Sequence, residues 1–250
     1  MKIHFLCFVV ITSAVYPSNA IFPIFLNQLQ RLPEPIPPLS FLLMQNYLSR
    51  NVNIQNTVFL GRTALKVCYN NDYQSKFVDE NGSMQGNGYV ELPLTTFYEG
   101  TIDVDIAAER NNKRTKDPER AGAAGVAFRI QSDNEQYELV YLRTANGRFN
   151  FPPPTIDRLG RAVQYASPPE WTSAKLRNNF PGRFESAAKI GERRWNHLRL
   201  SVRNNTLTVD VDGQNAIQTT LLGINARGSF AYWVDAGTNA YFTNLKIVEV

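Results

Sequence analysis

The chain has 250 residues, 43% hydrophobic and 12% aromatic, so it can bury a core and is excluded from the disordered class. Its formal net charge is +4, but the cations are spread out. Where Arg110, Lys113, Arg114, Lys116 and Arg120 gather, Asp117 and Glu119 interrupt them, which predicts a solvated loop rather than a nucleic-acid site.

At the N-terminus, Lys2 precedes a short apolar run over residues 5–15, and Ser18-Asn19-Ala20 reads as a small-x-small cleavage site. This predicts a secretory signal peptide over residues 1–20 and a secreted, periplasmic or extracellular location. An uncleaved anchor would need a longer apolar run, and no later stretch is long and apolar enough for a membrane span. Cys7 leaves with the signal. Cys68, in TALKVCYN, is then the one thiol, read as a strand residue that packs as a small hydrophobe. Residues 21–50 carry Pro33, Pro35, Pro37 and Pro38, which break helices and favour extended geometry. They read as a leader or linker whose Phe22, Ile24, Phe25 and Leu29 are partly packed. The folded domain is placed at residues 51–250.

From Thr57 the chain is strand-rich. TVFLGRTALKVCY reads as strand, turn and strand, followed by GYVELPL, EGTIDVDIAA, GVAFRI and YELVYLR. Turns are expected at Asn81-Gly82, Asn146-Gly147 and Asp212-Gly213. Many short strands at this spacing, with no helical periodicity and no repeat, predict an all-β jelly-roll sandwich of two antiparallel sheets. Residues 146–190 break the rhythm as a long irregular insertion, strand-like only at residues 162–166. Its aromatics argue against disorder, and so long an irregular stretch in a compact domain suggests function. In the last quarter, Leu198, Leu200 and Val202 alternate with His197, Arg199 and Ser201, and Leu207, Val209 and Val211 alternate with Thr208 and Asp210. Such alternation means one buried and one wet face.

The same rule nominates a site. Ile102, Val104 and Ile106 oppose Asp103 and Asp105. Val126, Phe128 and Ile130 oppose Arg129. Phe230, Tyr232 and Val234 oppose Trp233 and Asp235. If all the apolar sets face one core, Asp103, Asp105, Arg129, Trp233 and Asp235 share one outer surface. YELVYLR is apolar on both faces. Placing Tyr137, Leu139 and Tyr141 inward puts Glu138 outward, and a slip by one residue reverses them all. Carboxylates, a guanidinium and an indole suit a saccharide, with Tyr165 and Trp171 of the insertion as a roof. The plainer reading is a solvated sheet face of mixed charge.

For catalysis, Asp103, Asp105, Glu138 and Asp235 are the candidate acids and bases. Retaining glycoside hydrolysis needs two carboxyls about 5 Å apart, and Asp103-Val-Asp105-Ile-Ala-Ala-Glu109 is an imperfect match to the E-x-D-x-E strand of family 16 glycoside hydrolases. His197 stands alone on a wet face. No cofactor is implied; a calcium ion held by Asp and backbone oxygens is conceivable, but no D-x-D-x-D-G loop is present. Asn81-Gly-Ser83 and Asn204-Asn-Thr206 are glycosylation sequons, meaningful in a eukaryotic secretory pathway.

Taken together, EGTIDVDIAA, GVAFRI, YELVYLRTANGR, AVQYASPPEW, FPGRFES, WNHLRLSV and YFTNLKI resemble secreted bacterial proteins with a concanavalin A-like (laminin G-like) fold. These are related to the 3-keto-disaccharide hydrolase domain family, and the resemblance covers residues 57–250. It implies a lectin/glucanase-type jelly roll that handles oligosaccharides or polysaccharides. It also implies that Arg129, on the G-x-x-F-R strand, and Glu138, on the Y-E strand, lie on the concave face. Where that family often has Gln and His near the last strands, this chain has Trp233 and Asp235, a departure from metal-assisted keto-sugar chemistry. The expected function is glycan binding on the concave face. Glycoside or keto-sugar processing, and a structural or adhesive domain that binds a protein, are the alternatives.

Overall fold

The computed structural model describes residues 48–69, 88–111 and 122–250. The expected signal peptide, most of the proline-rich leader, the Asn81-Gly82 turn with its sequon and the cations of residues 113–120 lie outside the described residues.

The described strands are β1 (Leu48–Arg50), β2 (Val52–Phe59), β3 (Arg62–Tyr69), β4 (Tyr89–Phe97), β5 (Gly100–Arg110), β6 (Ala123–Ile130) and β7 (Glu138–Arg143). They continue with β8 (Val163–Ala166), β9 (Glu185–Ser186), β10 (Asn196–Arg203), β11 (Thr206–Val211), β12 (Gln214–Thr220), β13 (Gly228–Val234) and β14 (Thr238–Glu249). Two seven-stranded antiparallel sheets result. The first runs β1-β4-β13-β6-β7-β8-β9 and the second β12-β11-β10-β5-β14-β3-β2. The chain crosses between them at β1–β2, β3–β4, β4–β5, β5–β6, β9–β10, β12–β13 and β13–β14, which gives the jelly-roll β-sandwich.

Local chemistry sets the second sheet. β10 and β11 pair Leu198 with Val211, Leu200 with Val209 and Val202 with Leu207, and all six side chains are buried in the main core. Each fully buried side chain of this size contributes about 1.5–3 kcal/mol. Two-residue turns join the hairpins: Leu60-Gly61 at φ 46° and 76°, Asn204-Asn205 at 47° and 62°, and Asp212-Gly213 at 50° and 74°. Two successive positive φ values match the right-handed strand twist, and Gly, Asn and Asp adopt them at least cost. Across the sandwich, Tyr232 of β13 stacks on Phe242 of β14 with centroids 4.3 Å apart. Phe97 of β4 meets Phe128 of β6 edge-on at 5.7 Å. Cys68 lies in β3, half-buried and unbridged, as its sequence context predicts.

Two sequence expectations need correcting. The insertion is more ordered than its pattern suggests. The turn expected at Asn146-Gly147 forms, opened by a 3-10 turn over Thr144–Asn146, and two short helices follow, α1 (Ile156–Leu159) and α2 (Ser173–Asn179). The Thr172 side chain caps α2 by accepting from the Lys175 amide. The alternation of β6 also fails at its end. Ala127 pairs with Ala231 and Ile130 with Ser229, so β6 carries an extra residue there. Arg129 takes that place at φ 53°. This bulge sends Ile130 to the outer cluster beside Ala127, while Phe128 stays in the main core.

Candidate saccharide-binding face and its surroundings

The outer face of the first sheet carries a second apolar cluster of Tyr89, Ala123, Ala127, Ile130, Tyr137, Leu139, Tyr141 and Ala231, with Trp233 packed against it. The pairings place one residue of every strand in a single cross-strand row. Arg50 faces Tyr89, Tyr89 faces Trp233, Trp233 faces Gly125, Gly125 faces Tyr141, Tyr141 faces Gln164 and Gln164 faces Glu185. Directly opposed residues share a face, so the row runs across the whole sheet. From Tyr89 to Tyr141 it spans three strand spacings, about 14 Å.

Glycine at position 125 shapes the middle of this row. A Cβ there would lie 2.0 Å from the Val140 carbonyl oxygen and 2.6 Å from the Tyr141 Cβ. Without one, Tyr141 and Trp233 meet across the glycine, with centroids 4.9 Å apart and rings tilted by 41°. Trp233 is half-buried, and Tyr89 and Tyr141 are buried. Polar groups frame the aromatics. Arg143 lies over the Tyr141 ring and donates to its hydroxyl at 2.8 Å. The same guanidinium reaches Gln164 Oε1 at 3.0 Å. Arg177 grips Glu185 through Nε and Nη2. At the other end Arg50 sits over the Tyr89 ring, and the Tyr89 hydroxyl donates to Asn134 Oδ1 at 3.0 Å. Burial pushes the Tyr89 hydroxyl up to about 12, so it remains a neutral donor at any ordinary pH.

Arg50 and Asn134 also line a cleft of about 460 Å³ at this edge of the sheet, together with Glu91, Gln131, Ser132 and Arg227. Two guanidiniums, two amides, a hydroxyl and a carboxylate make it rich in hydrogen-bonding groups, next to the aromatic row.

The structure divides the residues that the sequence grouped. Trp233 lies in the row, and Asp235 follows β13, where its side chain accepts from the Ala236 amide at 2.8 Å. Glu138 is turned inward, not outward. Val140 and Leu142 of β7 join the main core on the same side as Glu138, while Leu139 and Tyr141 lie outside. The one-residue slip is the register that the strand adopts, because aromatics on the outer face also find cover. Glu138 Oε2 accepts from the Tyr165 hydroxyl at 2.7 Å and Oε1 from the Gly223 amide at 3.0 Å. The Tyr165 hydroxyl accepts in turn from the Leu222 amide. Tyr165 is thus core rather than roof, and the pair pins the 221–223 turn. Burial pushes the Glu138 carboxyl above its usual range, and the Tyr165 and Gly223 hydrogen bonds and the Arg129 charge offset this only in part.

Arg129 is also buried, with its head directed away from the outer face. Its Nε and Nη2 donate to the Tyr98 carbonyl at 3.0 and 2.8 Å, and Nη1 donates to Asn205 Oδ1 at 3.0 Å. It ties the β4–β5 crossover to the β10–β11 turn. Trp171, half-buried, lines a separate cleft of about 260 Å³ with Tyr137, Ser167, Pro168, Leu222 and Gly223. Lys175 lies over the Trp171 ring.

Asp103 and Asp105 belong to β5 and therefore to the outer face of the second sheet, on the far side of the sandwich from Trp233. Alternation had placed them correctly relative to their own strand, but it carries no information about which sheet the strand joins. His197 is not an isolated surface histidine. Its Nδ1 lies 2.8 Å from Asp105 Oδ1 and its Nε2 3.2 Å from Asp103 Oδ1. Arg199 bonds Asp103, and Arg62 and Asn244 bond Asp105. Partial burial disfavours the imidazolium, but the hydrogen bonds and charges of Asp105 and Asp103 outweigh it and raise the His197 pKa. Both carboxylates are consumed in this lattice. Each of the two clefts described is lined by a single carboxylate, Glu91 in one and Glu170 in the other. Among the described residues, no group of three or more His, Cys, Asp and Glu could hold a metal ion, and no helix is long and apolar enough to cross a membrane.

The sequence missed Arg50, Tyr89, Asn134, Arg143 and Gln164. The available signal was the doubly apolar pattern of YELVYLR, which marks a strand covered on both faces.

No protein-family model matches the chain, and no curated protein is detectably similar in sequence. Among solved structures, a carbohydrate-binding module (CBM66) from Bacillus subtilis is similar at TM-score 0.50 and 14% identity, over 80% of this chain and 92% of that one. A prokaryotic β-1,3-1,4-glucanase (lichenase) derived from a mouse hindgut metagenome is similar at TM-score 0.47 and 9% identity, over 80% and 84%. A Bacillus subtilis protein of galectin-like fold is similar at TM-score 0.45 and 9% identity, over 82% and 91%. Together with the observed topology, the first of these bears out the all-β jelly-roll sandwich of two antiparallel sheets expected from the sequence.

Proposed function

We propose that this protein is a secreted saccharide-binding domain that holds an oligosaccharide or polysaccharide across the outer face of its first sheet. The observation that carries the reading is the cross-strand row centred on Trp233 and Tyr141, next to a hydrogen-bonding cleft. The outer face of an antiparallel sheet is commonly solvated and polar. This one instead carries buried aromatics, and the half-buried Trp233 indole beside the Gly125 floor is the part of the cluster left partly open. The C–H-rich face of a pyranose can stack on the half-buried Trp233, and Arg50, Asn134, Gln131 and Glu91 can bond its hydroxyls. The shared fold with a carbohydrate-binding module agrees with this. The reading takes the chain as exported on the strength of the expected signal peptide. It takes the chain as a relative of the 3-keto-disaccharide hydrolase domains on the strength of the motifs quoted above. Binding is preferred over hydrolysis because Asp103 and Asp105 are committed to ion pairs on the opposite sheet.

A glycan array identifies the ligand, and calorimetry measures it. The expected result is retention of at least one glycan class, an affinity loss of tenfold or more in Trp233→Ala and in Arg50→Ala, and unchanged binding in Asp103→Asn. Failure to retain any glycan, or a Trp233→Ala protein that binds as well as the parent, would overturn the reading.

A further inference from the structure

The insertion holds apolar side chains out of the fold instead of burying them. Phe151 is 96% exposed, Ile156 84% and Phe149 50%. Isolated exposed hydrophobes are common on any protein and need no explanation. These three fall within the eight residues FNFPPPTI of one loop, where Pro152, Pro153 and Pro154 restrict the backbone.

The loop is anchored at both ends. On one side Asn150 Nδ2 donates to the Thr144 and Gly147 carbonyls at 2.7 and 2.9 Å, and Asn150 Oδ1 accepts from the Glu192 amide at 3.0 Å. The Phe149 amide donates to the Ile190 carbonyl. On the other side Arg158 of α1 donates through Nε to Asn146 Oδ1 at 3.0 Å. A loop so tied pays little ordering entropy when it presents its tip.

Cations gather at the anchored end of the loop, beside Phe149, while Asp157 follows Ile156. The Arg194 guanidinium lies 4.4 Å from the Phe149 ring centroid. The Arg148 amide donates to the Ala188 carbonyl, which brings Arg148 alongside Lys189, and Arg148, Lys189 and Arg194 are all exposed. The nearby Glu192 is occupied by Arg110 in a two-point pair, and Glu109 by Arg193.

We propose that this loop docks the protein on a membrane surface with anionic headgroups. Phe151 and Ile156 enter the interface, and Arg148, Lys189 and Arg194 meet the headgroups. A projecting apolar tip with cations at its anchored end suits a yielding apolar surface beneath a layer of negative charge. A protein groove would need a matching pocket and would gain nothing from the cations unless it too were acidic. None of these residues belongs to the Trp233 row or lines the cleft beside it, so this inference stands or falls independently of saccharide binding.

The test is co-sedimentation of the full chain with vesicles of phosphatidylcholine alone and of phosphatidylcholine with phosphatidylserine at 3:1. Binding is expected only to the mixed vesicles, and it should weaken as salt rises. Phe151→Ser/Ile156→Ser should reduce partitioning at least tenfold. Arg148→Glu/Lys189→Glu should also reduce it tenfold or more, at about fivefold for each cation lost. All of these positions are exposed, so thermal melts should match the parent. Three results would overturn the proposal: no sedimentation with mixed vesicles, equal sedimentation of Phe151→Ser/Ile156→Ser, or a dimer in analytical ultracentrifugation that this variant abolishes. The last would make a second copy of the chain the occupant of the tip.

Discussion

Replacing Arg129 by Met tests how the two sheets are fastened at one end. Arg129 is 1% exposed, and its three hydrogen bonds go to the Tyr98 carbonyl and to Asn205 Oδ1. Met keeps most of the aliphatic volume but leaves both acceptors without their donor. Each orphaned acceptor costs about 1–3 kcal/mol. Glu138 also loses the Arg129 charge that helps offset its burial. The sum falls in the 3–5 kcal/mol range seen when one partner of a buried charged network is removed. Urea unfolding monitored by tryptophan fluorescence provides the assay. A parallel Asn205→Gly variant keeps the positive φ of the β10–β11 turn and removes only the amide. The double variant should then be less destabilised than the sum of the singles, with a coupling of about 1–2 kcal/mol. A loss below about 1 kcal/mol in Arg129→Met, or strict additivity in the double variant, would refute the clamp.

Two further predictions concern pH. The folded-state pKa of His197 is raised, so its contribution is complete below the unfolded value near 6.5 and fades as pH rises through the folded value. His197→Ala should therefore destabilise the protein more at pH 5.5 than at pH 8.5, by less than about 1 kcal/mol because the side chain is 43% exposed and screened. Equal losses at both pH values would contradict this. The Glu138 carboxyl is raised too. The folded state keeps that proton where the unfolded chain has released it, so stability falls as pH rises from the unfolded value near 4.3 through the folded one. Glu138→Gln should remove that slope, and urea midpoints of parent and variant that run parallel from pH 4 to 7 would show the reasoning wrong.

The β10–β11 hairpin was legible because one of its faces meets a core and the other meets water, so Leu198, Leu200 and Val202 declare themselves. Asp212-Gly213 was legible because few residues accept two positive φ values in succession. β7 was not legible in the same way. Its two faces are both apolar, and nothing local tells Leu139 and Tyr141 from Val140 and Leu142. The site followed that ambiguity, since Tyr141 became a wall of the row only once β7 was turned over. Arg129 escaped because a bulge adds one residue to β6 and shifts the alternation at Phe128, an event without a signature in GVAFRI. Asp103 and Asp105 show a different limit. Periodicity assigns a side chain to one face of its own strand, but strand order decides which strands share that face. The His197 bridge needed the β10–β5 register that sets His197 opposite Asp105, a contact between residues 92 positions apart.

The most direct test of the central claim is a two-dimensional 1H–15N spectrum recorded while a glycan identified on the array is titrated into the labelled protein. The account predicts that shifts concentrate at the Trp233 indole N–H, the Gly125 amide and the amides of Gln131 and Asn134. The amides of Asp103, Asp105 and His197, on the far side of the sandwich, should stay still. Shifts confined to the Asp103–His197 face, or to the Trp171 cleft with the Trp233 indole unmoved, would contradict it.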